Sequence, residues 1–142
     1  MSDNFRDAVI VTCMDRRLHQ RPDGRNYVAE FALNKWLNAY LITRAGCILD
    51  LVHPKETGHY RSLIKDISIP ASKGIKELFI IGHENCAAYP NYKLRMDEVD
   101  QHVLDVRRAR EIIHSEFPKL DIYPHFAELE IGTKDIFIIK AA

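Results

Sequence analysis

The sequence predicts an α/β fold: a mainly parallel sheet of about five strands with an antiparallel edge strand, and helices packed on the sheet. Three observations predict it. Short β-branched runs such as Ala8-Val9-Ile10-Val11-Thr12 and Leu78-Phe79-Ile80-Ile81 have the length and composition of buried strands. Segments with apolar residues every three or four positions, the period of a helix face, lie between such runs. The last two strand-like runs are separated by a short segment with Gly132-Thr133-Lys134, so they read as antiparallel neighbours.

The first strand starts at Ala8 and gives way at Cys13 to a polar stretch, Leu18 to Asn26, whose Pro22-Asp23-Gly24 is a turn signal, so a loop is expected there. Tyr27 to Leu37 places Val28, Phe31, Ala32 and Lys35 on one face of a helix. Ala39 to Thr43 reads as the second strand, and Arg44-Ala45-Gly46 turns the chain off its end. Ile48 to Thr57 reads as a loop with some buried contacts, because His53-Pro54 favours extended or turn backbone. A helix follows from His59 to Ile69, with Leu63, Ile64 and Ile67 on one face. Pro70 either kinks this helix or starts another turn, and Lys73-Gly74 closes it. The third strand, Leu78 to Gly82, leads into Gly82-His83-Glu84-Asn85-Cys86. Val99, Val103, Val106, Ile113 and Phe117 then mark a helix from about Glu98 to Glu116, with Asp97 as N-cap and Pro118 as stop. Two strands are expected at Asp121 to Leu129 and Asp135 to Ile139.

At 142 residues, with no linker, repeat or low-complexity tract, the chain is expected to form a single domain over residues 1–142. Twenty basic residues balance twenty acidic ones, so there is no electrostatic case for nucleic acid or an anionic membrane as partner, and a small molecule is the expected substrate. The polar segment Met1 to Asp7 precedes only a strand-length apolar run, which predicts neither a signal peptide nor a membrane span and points to the cytoplasm. Three cysteines, Cys13, Cys47 and Cys86, are an odd number in a chain large enough to fold without staples, which favours reduced thiols or metal ligation over a disulfide framework.

Cys13 and the pair His83/Cys86 each fall at the C-terminal end of a predicted strand, the edge at which sheets of this class bind ligands. A lone buried cysteine is usually a small core residue, but two such segments that can meet are better read together. Two thiolates and an imidazole suit Zn²⁺, and three protein ligands leave a position for water, the arrangement of a catalytic site. Asp15 lies two residues beyond Cys13 and Arg17 two beyond Asp15, so in an extended stretch all three point to one side. A carboxylate there can orient the proton of a metal-bound water, and a bidentate arginine keeps that carboxylate ionised. Arg16 reads as a solvated surface charge.

Cys13-x-Asp15-x-Arg17 after the first strand, Arg44-Ala45-Gly46 after the second and Gly82-His83-x-x-Cys86 after the third resemble the β-class carbonic anhydrases, in order, over roughly Ala8 to Cys86. The resemblance implies zinc on Cys13, His83 and Cys86, with Asp15 and Arg17 as the dyad beside the fourth position. In that family the aspartate either orients the hydroxide or becomes the fourth ligand. The activity implied is that of a lyase, the reversible hydration of CO₂ to bicarbonate by zinc-bound hydroxide, in a homodimer or higher homo-oligomer. His53 and His59 are candidates for carrying the proton to solvent. Two positions depart from the family pattern: Ala87-Ala88 stands where glycine commonly follows the second cysteine, and Cys47 where asparagine is usual. Three alternatives therefore stay open: a zinc hydrolase of COS or CS₂, a non-catalytic zinc-binding or regulatory domain, and a Cys13/Cys86 redox pair. The last is weakest, since neither cysteine lies in a Cys-x-x-Cys motif.

Overall fold

Two strands rich in valine and isoleucine, β1 (Arg6–Cys13) and β3 (Glu77–His83), form the centre of the sheet, and every residue of Ala8 to Cys13 and of Leu78 to His83 is buried. Such continuous apolar runs are what a strand covered on both faces requires. The structure is a computed structural model describing residues 4–142; the start of the polar N-terminal segment, Met1 to Asp3, lies outside the described residues. β2 (Leu37–Arg44) pairs with β1 and β4 (Asp121–Leu129) with β3, all parallel, and β5 (Phe137–Ala141) closes the edge antiparallel to β4. The order β2-β1-β3-β4-β5 is the expected mainly parallel sheet with one antiparallel edge. The register runs from Val9↔Leu78 to Thr12↔Ile81, so Cys13 and His83 leave the sheet side by side at one edge.

Because side chains alternate across a strand, Phe79 and Gly82 face opposite layers. On Phe79's side lies α2 (Tyr27–Asn34), started by Asn26, whose side-chain oxygen accepts from the Ala29 N–H. Its Phe31 ring meets Phe79 and His125 edge-on, with centroids 5.8 and 5.0 Å away. Lys35, expected on this apolar face, is the exposed C-cap, and its ammonium lies 5.3 Å from the Phe31 ring. On Gly82's side lies α6 (Arg95–Glu116), where Val106, Ala109 and Ile113 are buried. α5 (Tyr60–Ser72) buries Leu63, Ile64 and Ile67, and Pro70 sits inside its final turn instead of ending it.

Three expectations need correction. The stretch 48–57 is not a loop but two one-turn helices, α3 (Leu49–Val52) and α4 (Pro54–Thr57), because Pro54 falls at the first helical position, where its missing N–H costs nothing. A further one-turn helix, α1 (Arg16–His19), forms where only loop was expected after β1. Helix α6 starts at Arg95 and not near Glu98, with Leu94 at the N-cap position, so Asp97 and Glu98 lie in the first turn, where acidic side chains complement the helix dipole. Among the described residues no helix is long and apolar enough to cross a membrane.

Gly82 sets how closely α6 approaches the sheet, since a methyl group there would come within 3.1 Å of the Val106 Cγ1. Gly82→Ala is therefore expected to lower stability in urea unfolding by about 1–3 kcal/mol. In the double variant Gly82→Ala/Val106→Ala the cost should fall below the sum of the singles; strict additivity would show that this contact does not limit the packing.

Candidate metal centre

The thiols of Cys13 and Cys86 lie 3.8 Å apart, and these two sulfurs and a ring nitrogen of His83 all lie within 4.8 Å of one another. All three residues are buried. A carbonyl can only accept, so His83 Nδ1, 2.8 Å from the Glu84 carbonyl, carries the ring proton. That leaves Nε2 as a lone-pair donor, and it is buried with no hydrogen-bond partner among the described residues. An orphaned buried polar atom costs about 1–3 kcal/mol, so this nitrogen beside two sulfurs fits a metal ligand better than a core histidine. The two thiols share one hydrogen bond, in which either can be the donor, and this contact together with His83 lowers the pKa for the first thiol to ionise against the opposing effect of burial, while the second is pushed up in turn. The thiolate is the form that binds metal.

Asp15 and Arg17 reach this group by a route other than strand alternation. The chain leaves the extended conformation after β1, and Asp15 becomes the N-cap of α1, its carboxylate accepting from the Arg17 N–H at 2.9 Å. The Arg17 guanidinium then folds back on the same carboxylate, donating from Nε at 3.1 Å and from Nη2 at 2.8 Å. Its remaining donors go to the Asn85 side chain (3.1 Å) and carbonyl (2.9 Å) and to the Lys134 carbonyl (2.7 Å). Arg17 therefore ties the segment following Cys13 to the turn carrying His83 and Cys86. Asp15 Oδ2 stands 3.9 Å from His83 Nε2. Burial raises the Asp15 pKa, but the hydrogen bonds from Arg17 outweigh it and hold the carboxyl below the usual carboxylate range. Phe137 closes one side, its ring edge-on to His83 at 5.8 Å.

The 83–86 turn is fixed from α6 by residues that lie outside the sequence motifs. Asn85 has a left-handed φ of 59°, which asparagine tolerates better than most residues, and its N–H donates to Glu98 Oε2 at 2.7 Å. Glu84 donates its N–H to the Ala127 carbonyl, while its carboxylate receives Arg95 at 2.8 and 3.0 Å and the Leu129 N–H at 3.0 Å. The available sequence signal was the three-residue spacing of Arg95 and Glu98, which places both on one helix face. Cys47 stays outside the ligand group: its thiol donates to the Val11 carbonyl, and burial pushes its pKa up. Gly46 (φ 77°) packs so closely on Leu49 and Ala88 that a side chain would meet the Ala88 methyl at 3.1 Å. His53 and His59 are also apart from the ligands: His53 Nε2 lies 3.7 Å from Asp105, and His59 is at the N-cap of α5.

Beside His83 and Cys86 is a chamber of about 10 Å³, walled by Gly46, Ile48, Tyr89 and Val106, which is room for about one water-sized molecule. Tyr89 also lines an outer cleft of about 530 Å³. A second cleft, of about 820 Å³, has four cationic residues on its walls, Arg16, Arg17, Arg21 and Lys134, against one carboxylate, Asp135.

Fold and site define an α/β protein whose buried Cys-His-Cys group at parallel strand ends could hold a metal ion. A family model described as "Putative carbonic anhydrase" matches residues 1–136, and the chain belongs to that family. It is 24% identical over 142 residues to an uncharacterized protein of Rickettsia bellii, covering 94% of this chain and 84% of the relative. An uncharacterized protein of Rickettsia conorii is 23% identical over 145 residues, covering 97% and 76%.

The depressed Asp15 pKa sets a sign for acid stability. The contribution of the ionised carboxylate is complete above its unfolded pKa near ~3.9 and is lost as pH falls through the lower folded value. Asp15→Asn should therefore cost on the order of 1 kcal/mol in urea unfolding at pH 6, with the gap to the parent closing below about pH 4. A gap unchanged down to pH 2 would show that the pairing with Arg17 is not ionic.

Proposed function

We propose that this protein is a zinc-dependent lyase that catalyses the reversible hydration of CO₂ to bicarbonate. The observation carrying this reading is the buried group of Cys13, His83 and Cys86 with an ionised, arginine-held Asp15 at its side. When bound, zinc supplies Lewis acidity and so hydroxide near neutral pH. Cys13 and Cys86 would hold the ion as thiolates and His83 through Nε2, because its other nitrogen is committed to the Glu84 carbonyl. Asp15 is the hydrogen-bond acceptor that orients the attacking oxygen, and Arg17 keeps it charged and in place. The small, largely apolar chamber beside His83 and Cys86 leaves no room there for a bulky substrate. The cation-rich cleft bordered by Arg17 and Asn85 would attract an anion such as bicarbonate. We also propose a homodimer, supported by Trp36, Tyr40 and Leu41, large apolar residues left exposed at and beside edge strand β2.

Protein purified without added zinc should contain about one equivalent of zinc and hydrate CO₂ in stopped-flow assays between pH 7 and 9. Metal that is substoichiometric and cannot be restored would remove zinc from the proposal, and a rate at buffer background would remove the lyase. Asp15→Asn should retain zinc while turnover falls by about 10²-fold or more. An unchanged rate would contradict the role given to Asp15.

A further inference from the structure

Backbone pairing between β3 and β4 ends at His83↔Ala127, yet the next residues stay locked together by side chains. The Glu84 N–H goes to the Ala127 carbonyl, and the Leu129 N–H, which a longer β3 would have satisfied with a carbonyl, is taken by the Glu84 carboxylate. That carboxylate is 7% exposed and receives two hydrogen bonds from Arg95, whose Nη2 also reaches the Leu129 carbonyl at 2.8 Å and Glu128 at 3.1 Å. Three residues along α6, Glu98 accepts the Asn85 N–H. Glu84 is thus fixed through its N–H and its side chain, and the one group of it that faces the ligands is the carbonyl holding His83 Nδ1 at 2.8 Å. A surface ion pair contributes little on its own, but a bidentate pair on a buried carboxylate that fixes a ligand's hydrogen-bond acceptor acts on the ligand.

We propose that the first turn of α6 is the positioning element of the metal-binding turn: Arg95 through Glu84 sets the tautomer and orientation of the His83 imidazole, and Glu98 sets Asn85. This rests on the reading of Cys13, His83 and Cys86 as metal ligands. Arg95, Glu84 and Glu98 are positioning residues and touch neither the metal nor the substrate. The arrangement keeps the imidazole with its proton on Nδ1 and its Nε2 lone pair among the sulfurs before any ion arrives.

Two measurements on the full chain test this. Nitrogen-15 NMR of the His83 ring in the metal-free protein should show the Nδ1-protonated tautomer, and Arg95→Leu and Glu84→Ala should turn it into a mixture. Zinc affinity, read by competition with a chromophoric chelator, should fall about 10–100-fold in those variants and be partly recovered in Arg95→Lys or Glu84→Gln. Lys140→Met, which removes the Lys140 contact to Glu128 at the same sheet edge without touching Glu84, serves as the control and should leave affinity within twofold. If Arg95→Leu fails to fold, Arg95→Lys and Glu84→Gln carry the test, each expected to lose a few-fold in affinity. A parental tautomer together with parental affinity in the variants overturns the proposal, as does an equal loss in Lys140→Met. A protein that takes up no zinc at all would remove the proposed lyase, and the tautomer measurement would still decide what Arg95 and Glu84 do.

Discussion

The parallel pairing of β1 with β3 is the constraint on which the centre depends. Cys13 and His83 are 70 positions apart in the sequence, and the Thr12↔Ile81 register alone delivers them to one sheet edge. A slip of one residue would shift Cys13 by about 3.3 Å along the strand axis relative to His83 and so undo their proximity at the sheet edge. That register is protected by burial: Ala8 to Cys13 and Leu78 to His83 are inaccessible on both faces. A slipped strand would expose or clash several of these side chains, each contributing roughly 1.5–3 kcal/mol when buried. The geometry of this Cys-His group is therefore secured by the same hydrophobic packing that secures the fold.

Register brings the two segments close but does not orient the residues beyond the strand ends, because both segments leave regular structure at the ligands. Polar side chains take over there. Arg17 spends its donors on Asp15, Asn85 and the Lys134 carbonyl, so one guanidinium spans the segment after Cys13, the ligand turn and the β4–β5 loop. On the other side α6 reaches in through Arg95 and Glu98. Replacing Arg17 by lysine would keep the charge and lose the fork, and with it the simultaneous hold on Asp15 and Asn85.

Strand-forming runs at β1 and β3, the antiparallel final pair and the meeting of Cys13 with His83 and Cys86 were legible in the sequence, because burial on both faces writes itself as an unbroken apolar run. The illegible parts depended on tertiary partners. The one-turn helices α3 and α4 carry too few residues to show a period, and Leu49, Leu51 and Val52 are buried by neighbours distant in sequence. Asp15 and Arg17 lie as near to the ligands as the sequence suggested, but by way of a helix cap, since nothing local distinguishes a carboxylate continuing a strand from one ending it. The start of α6 was misplaced for a related reason: Leu94 offers no capping side chain, and the interactions that stabilise the first turn run to Glu84 and Asn85 on another element. Glu84 itself reads as an ordinary surface acid until β4 is placed beside it.

The division of labour between packing and polar contacts also bears on which ion the Cys13-His83-Cys86 group could select. Two sulfurs and one imidazole nitrogen are poor donors for magnesium or calcium, which take oxygen, and suit a borderline-soft ion such as zinc. Selection by donor type needs the donors to be kept from rearranging, since a flexible Cys-His-Cys set could recruit further oxygen ligands and accept harder ions. Cys13 is held by strand pairing, His83 by the strand and by its Nδ1 hydrogen bond, and Cys86 by a turn anchored from Arg17 and Glu98 through Asn85. The carboxylate facing His83 Nε2, that of Asp15 at 3.9 Å, is held by Arg17 as a hydrogen-bonding group. Weakening the hold of Arg17 on Asp15 would thus affect the character of this group as well as its stability, because the carboxylate freed from the guanidinium would stand 3.9 Å from the nitrogen through which His83 could hold an ion.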